Sequence, residues 1–188
     1  MCLMNQIRPE TRDAIIEAAF LVFNETPAAS LADVAARAGV GRATLHRYFA
    51  GRAELMRALA FAAMEELDRA IAEKTAGAAT YEDGFRLALH AMVPLANRQW
   101  FLANEALDAD PEIAAAYAAG QDEMRADIER AKAEGAFADD VPTEWIVTSY
   151  ENLTYAAWSM VRAGEATPKQ AADLAWRTLS QGLKGDAK

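Results

Sequence analysis

Six side chains that can donate hydrogen bonds or carry positive charge fall within eleven residues: Arg42, Thr44, His46, Arg47, Tyr48 and Arg52. Wound as a helix over residues 42–49, this stretch puts Leu45 and Phe49 on one apolar side and Arg42, Ala43, Thr44, His46, Arg47 and Tyr48 on the remaining surface. Cations and hydrogen-bonding groups on a helix thin enough for the major groove are suited to duplex DNA. Arg42 and Thr44, near the helix start, are placed to reach base edges, whereas Arg47, Tyr48 and Arg52 are placed for phosphate. The competing reading is a solvated basic face, but such faces seldom stand in front of a core of the kind found here.

That core is a helix-turn-helix pattern. Ser30 caps a short second helix at residues 31–38, with Asp33 completing a weak capping box, and Ser30 itself joins the set of candidate DNA contacts. Two short helices cross steeply only if the contact residue is small and the turn residue can take a positive φ. Ala35 and Gly39 meet these needs at a spacing of four. Val34, Ala38, Val40, Leu45 and Phe49 then supply apolar contacts against Phe20 and Phe23 of a first helix at residues 9–25.

The net charge of −9 looks unsuited to nucleic acid until it is divided along the chain. Residues 1–57 hold seven arginines and six acids, a net of +1; within them residues 31–57 carry +3, and the remainder of the chain carries −10. This asymmetry fits a DNA-facing patch on an acidic body that resists other polyanions. The single cysteine, Cys2, excludes an internal disulfide framework and any cysteine-based metal site. Neither His46 nor His90 has metal-ligand spacing to a neighbour, so no metal or cofactor is expected. No segment reads as a signal peptide or a membrane span, and a cytoplasmic location without a membrane partner is the expectation.

Alanine is abundant and β-branched residues are few, which favours an all-α chain of about nine helices. After the third helix, a fourth is expected at residues 53–75, a linker at 77–80 and a fifth helix at 81–97, kinked where Pro94 frees the carbonyl of His90. Residues 101–108 leave room for a short helix. Asp110-Pro111-Glu112 opens another that Gly135 stops. The last two are expected at 142–163 and 168–183, the final one opened by a Thr167 to Gln170 capping box. A DNA-binding domain over residues 1–52 and a larger domain over 53–188 follow from this order.

Residues 30–55 resemble the TetR family of transcriptional regulators: Ala35, Ala38-Gly39-Val40, Thr44-Leu45, Phe49, Arg52 and Glu54-Leu55 stand in register with its pattern. His46 departs from the family's usual tyrosine, and Arg52 stands where a phosphate-touching lysine is typical. The resemblance implies a homodimer that holds a palindromic double-stranded DNA operator and is released, as a repressor, by a small-molecule effector in the C-terminal domain. An activator or a regulator acting through protein contacts with the same head, and a helical-bundle binding protein or enzyme, are the alternatives; no catalytic constellation is visible in the sequence.

In the C-terminal domain Met64, Phe85, His90, Met92, Trp100, Phe101, Tyr117, Met124, Ser149, Tyr150 and Leu153 are candidates for an effector pocket, although helical apolar stripes more often fill a core. Trp145 and Tyr155 join these aromatics. Glu105 and Glu151 lie near the apolar stripes without identifying a ligand class. The two last helices are unusually apolar, and Trp158, Val161, Leu174, Trp176, Leu179 and Leu183 are the expected dimer contacts, against the alternative of an intrachain core.

Overall fold

The computed structural model describes residues 9–103, 107 and 109–182, without the side chains of residues 9, 101 and 102. Among the described residues there is no strand, and the chain forms nine α-helices and one 3-10 turn. They are α1 (Pro9–Glu25), α2 (Leu31–Arg37), α3 (Arg42–Tyr48), α4 (Arg52–Thr75), α5 (Tyr81–Met92), the 3-10 turn (Val93–Leu95), α6 (Ala96–Ala103), α7 (Pro111–Ala133), α8 (Thr143–Arg162) and α9 (Pro168–Gly182). Cys2, Glu105 and Leu183 lie outside the described residues.

Local chemistry accounts for most of the helix ends. The Ser30 and Asp33 side chains and backbones exchange hydrogen bonds in a full capping box at the start of α2. At the other end Gly39 takes φ +67°, a left-handed conformation costly for any residue with a Cβ, so that Val40 N–H reaches Ala35 O at 3.0 Å and reverses the chain into α3. Asp110 caps α7 through the N–H groups of Glu112 (3.0 Å) and Ile113 (3.4 Å). Thr167 and Gln170 close the expected box on α9, with Gln170 N–H donating to Thr167 Oγ1 at 3.3 Å and Thr167 N–H to Gln170 Oε1 at 3.0 Å.

Pro94 acts more strongly than a kink. Without an N–H, and with its ring crowding the preceding turn, it ends α5 at Met92; the chain tightens to a 3-10 turn and restarts as α6. The single helix expected over 81–97 is therefore two. α6 occupies Ala96–Ala103, earlier than the short helix expected within 101–108.

Two hydrophobic cores share α4. The first joins Ile15, Phe20 and Phe23 of α1, Val34 and Ala35 of α2, Leu45 and Phe49 around α3, and Leu55, Met56 and Leu59 of α4. Ala35, 2% exposed, is the small residue at the α2–α3 crossing. The second core gathers Phe85, Leu89, Ile128, Phe137, Ile146, Tyr150 and Leu179, with Leu67 and Ile71 of α4 packed against it. Here α5 lies beside α4, α9 packs on both α5 and α8, and α6 and α7 pack on α8.

The two kinds of glycine give opposite expectations. Gly39→Ala meets no steric obstacle yet forces alanine into a positive φ, and should cost about 1–2 kcal/mol. Gly120→Ala lies in the exposed middle of α7, also with open space at the Cβ, and should stabilise by roughly 0.5–1 kcal/mol. Chemical denaturation of the two variants would check both signs.

Candidate nucleic-acid interface

Leu45 and Phe49 anchor α3 to the first core and turn its other side outward. Arg42, Ala43, His46 and Arg47 are exposed, and Thr44 and Tyr48 are half-buried. Ser30, Leu31 and Ala32 at the start of α2 face Arg42, Leu45 and His46 across a groove of about 230 Å³. The Ser30 hydroxyl donates to Asp33 Oδ2 at 2.7 Å, and this bond, the Ser30 backbone N–H and the nearby charge of Arg42 hold the Asp33 carboxyl below its ordinary value. The Arg47 guanidinium rests 5.5 Å from the centroid of the Tyr48 ring.

Arg52 is directed inward. Its Nη1 donates to Ala29 O at 2.9 Å and its Nη2 to Pro27 O at 2.7 Å, while its guanidinium covers the Phe23 ring at 4.3 Å. The carbonyls of the loop after α1 need partners, and this arginine supplies them, bracing the start of α4. With those two nitrogens on backbone carbonyls, the arginine expected to touch phosphate is a structural brace in this conformation. Glu54 closes the other side of the same joint by accepting the Ala50 N–H at 2.6 Å.

The candidate pocket residues do not gather in one place. Phe85 and Tyr150 form an edge-to-face pair in the second core, 5.4 Å between centroids, and Tyr150 donates to Phe85 O at 2.9 Å; burial pushes its phenol well above the ordinary range. Met92 is buried, Met64 and Met124 are half-buried, and the Phe101 side chain lies outside the described residues. His90 faces Asp173 of α9, Nε2 to Oδ1 3.1 Å; its partial burial holds it below the ordinary histidine value despite that carboxylate. Ser149 and Leu153 belong to the α8–α9 surface instead, where with Trp145, Asn152, Thr178, Leu179 and Gly182 they line a groove of about 400 Å³.

What the fold does bring together is two groups of side chains along α8, an aromatic stack against α6 and an acidic cluster against α7. Trp100 and Tyr155 stack at 4.6 Å with an interplanar angle of 22°. One turn before Tyr155, Glu151 Oε1 accepts from Tyr117 OH at 2.9 Å and from Gln121 Nε2 at 3.0 Å. Tyr117 is 55% exposed, yet desolvation of its hydroxyl, reinforced by Glu151, pushes the phenol up to about 12.

The expected dimer contacts divide in the same way. Trp158 donates its indole N–H to Met92 O at 3.0 Å, and Leu179 is 2% exposed, so both serve the core of their own chain. Val161 and Trp176 are half-buried against that core. Leu174 stays 37% exposed, and the largest apolar side chain left outside is Trp145, 62% exposed.

Polar contacts from α6 and α8 reach back to the head, and nothing in the local sequence pattern announced them. Arg98 pairs with Glu17 of α1 and, at 3.4 Å, with the buried Oε2 of Glu66 on α4, while covering the Phe20 ring at 4.8 Å. Gln99, itself buried, donates to Ala63 O at 3.0 Å. Arg162, at the end of α8, donates to Asn97 Oδ1 at 3.3 Å and to Asn24 Oδ1 of α1 at 3.4 Å. Arg57 of α4 ties the cap of α7 through Asp110 at 2.6 Å. Among the described residues no group of three or more His, Cys, Asp or Glu side chains is placed to hold a metal, and no helix is long and apolar enough to cross a membrane.

The sequence of this head matches the model of bacterial regulatory proteins of the tetR family over residues 15–59. Along 94% of the chain and 92% of the relative, it is 32% identical to the HTH-type transcriptional repressor LfrR of Mycolicibacterium smegmatis. The fold agrees with the crystal structure of LfrR in complex with proflavine, TM-score 0.77 and 31% identity over 92% of this chain and 96% of that one. A tetR-family regulatory protein from Rhodococcus RHA1 shares the fold at TM-score 0.78 and 15% identity, covering 96% of this chain and 100% of that one. These relatives are transcriptional regulators and not enzymes, and the chain belongs to the TetR family of bacterial transcriptional regulators.

Proposed function

We propose that this regulator is a homodimeric repressor whose paired α3 helices hold a palindromic operator and whose body, residues 53–188, releases the head, residues 1–52, when a flat aromatic cation binds. The observation that carries the DNA reading is the exposed face of Arg42, Ala43, His46 and Arg47, with the half-buried Thr44 among them, in front of a buried Leu45 and Phe49. Arg42 and Thr44 read base edges; Arg47, with Ser30 and His46 at the groove beside it, holds phosphate. Arg52 contributes by fixing the angle at which α4 leaves the head.

The effector reading has two supports. LfrR was crystallised with proflavine, a planar cation. In this chain side chains along α8 offer the matching chemistry: the stacked rings of Trp100 and Tyr155 and the Glu151 carboxylate one helical turn before Tyr155. Aromatic faces attract cations, and a nearby carboxylate adds charge complementarity. An effector releases DNA only by binding the released form better than the DNA-bound form.

For dimerisation the Trp145 groove along α8 and α9 is the best-suited surface, with Trp145 of each protomer as the central anchor. A two-fold pair of recognition helices then reads half-sites about one DNA turn apart.

Arg47→Ala should weaken binding to the DNA upstream of the gene about equally for all sequences. Arg42→Ala should cost roughly 1–3 kcal/mol and relax the preference at one base pair per half-site. Binding titrations against a panel of single-base operator variants separate the two; equal affinity of Arg47→Ala and wild type would remove Arg47 from the phosphate contacts. Trp145→Ala should weaken the dimer by about 2 kcal/mol or more, read by sedimentation equilibrium.

A further inference from the structure

The Trp100 indole already carries a cation. The Arg162 guanidinium lies 5.5 Å from the centroid of the Trp100 ring, the same indole on which Tyr155 stacks. Arg162 is exposed and sits at the last residue of α8, and its Nη1 also reaches Asn97 of α6 and Asn24 of α1. Asn24 is oriented to accept, because its amide nitrogen is committed to Phe20 O at 2.9 Å. One side chain therefore joins three events in space: occupation of the indole, the junction of α6 with α8, and contact with the last turn of the head's first helix.

We propose that Arg162 is an internal stand-in for the effector: a flat cation that stacks on Trp100 displaces the guanidinium and in doing so unties α8 from Asn24 of the DNA head. This rests on the cationic-effector reading above. The physical argument is competition on one ring. A second cation brought to the same indole meets like-charge repulsion from Arg162, so one of them leaves. Arg162 is the group that goes, because water readily takes back an exposed guanidinium and because replacing it preserves the Trp100–Tyr155 stack for the incoming ring. Glu151 lies about three helical turns before Arg162 on α8 and accepts from Tyr117 and Gln121, so it does not hold the guanidinium in place. Displacement also strips Asn24 and Asn97 of their shared donor. The coupling is thus local and electrostatic, and it needs no rearrangement of the second core.

The test uses the full-length dimer without DNA, with 9-aminoacridine, which is protonated at neutral pH, and acridine, which has the same ring system but is neutral there. Dye anisotropy gives affinity, and hydrogen exchange over residues 20–25 reports the α1 tie. Wild type should bind the cationic dye and discriminate against acridine. Arg162→Ala and Arg162→Gln should bind it about three- to tenfold more tightly, since the competing cation is gone. Saturating dye should speed exchange over 20–25 in wild type, whereas in both Arg162 variants, and in Asn24→Ala, exchange should be fast before dye is added. Unchanged or weaker dye binding by the Arg162 variants, with wild type still binding, overturns the displacement alone. No binding of 9-aminoacridine by wild type overturns the cationic-effector reading, and the displacement with it.

Discussion

One continuous helix serves two hydrophobic cores, and the behaviour of the molecule follows from that constraint. The first turns of α4 give Leu55, Met56 and Leu59 to the head, and the later turns give Leu67 and Ile71 to the body. A helix with an unbroken hydrogen-bond ladder transmits tilt from one end to the other, so the head cannot be reoriented by bending a linker. Its orientation is set by the packing of α4 and by the contacts that tie α1 to the body. Arg52 sharpens this coupling, since its guanidinium pins the start of α4 to the carbonyls after α1 and lies across Phe23. The substitution of arginine for the lysine typical of the family therefore has a structural consequence: a planar fork satisfies two carbonyls at once, which a lysine ammonium does less well.

Around that helix, polar ties from the body act at the same joint. Arg98 of α6 reaches both Glu17 of α1 and Glu66 of α4, and Gln99 grips the α4 backbone at Ala63. Contacts of this kind contribute little individually at a surface, but Glu66 Oε2 and Gln99 are buried, where loss of a partner is costly. Any ligand that moves α6 therefore has a direct mechanical route to α1 and α4. The charge distribution is as uneven as the packing: residues 58–188 carry −10 and residues 31–57 carry +3, a division that disfavours polyanions everywhere but at the head.

Features decided within four or five residues were legible in the sequence. The Ser30 and Thr167 capping boxes, the Asp110 cap, the reversal at Gly39 and the buried Leu45–Phe49 side of α3 depend on neighbours along the chain, and each forms as its spacing implies. Pro94 shows where local reasoning stops: the loss of its N–H was clear, but whether the chain kinks or restarts depends on how α6 packs on α8. Side-chain direction was less legible still. The aromatic candidates divided among the core, the Trp100–Tyr155 stack and the outer groove because helical stripes reveal which residues are apolar without revealing which neighbour covers them. Trp145 and Trp158 are both tryptophans of α8, yet one donates to Met92 O and the other faces outward. Arg98 and Arg162 were invisible, since their partners Glu17 and Asn24 lie 81 and 138 residues away.

The central claim is that a chain of net charge −9 grips DNA through a small positive face held rigidly on an acidic body. The most direct measurement is the affinity of the purified dimer for the DNA upstream of its gene as a function of salt. The account predicts that log K falls linearly with log salt, with a slope of about −0.9 for each phosphate neutralised and hence several units for two recognition helices. An affinity that is absent, or that does not change between low and high salt, would contradict it.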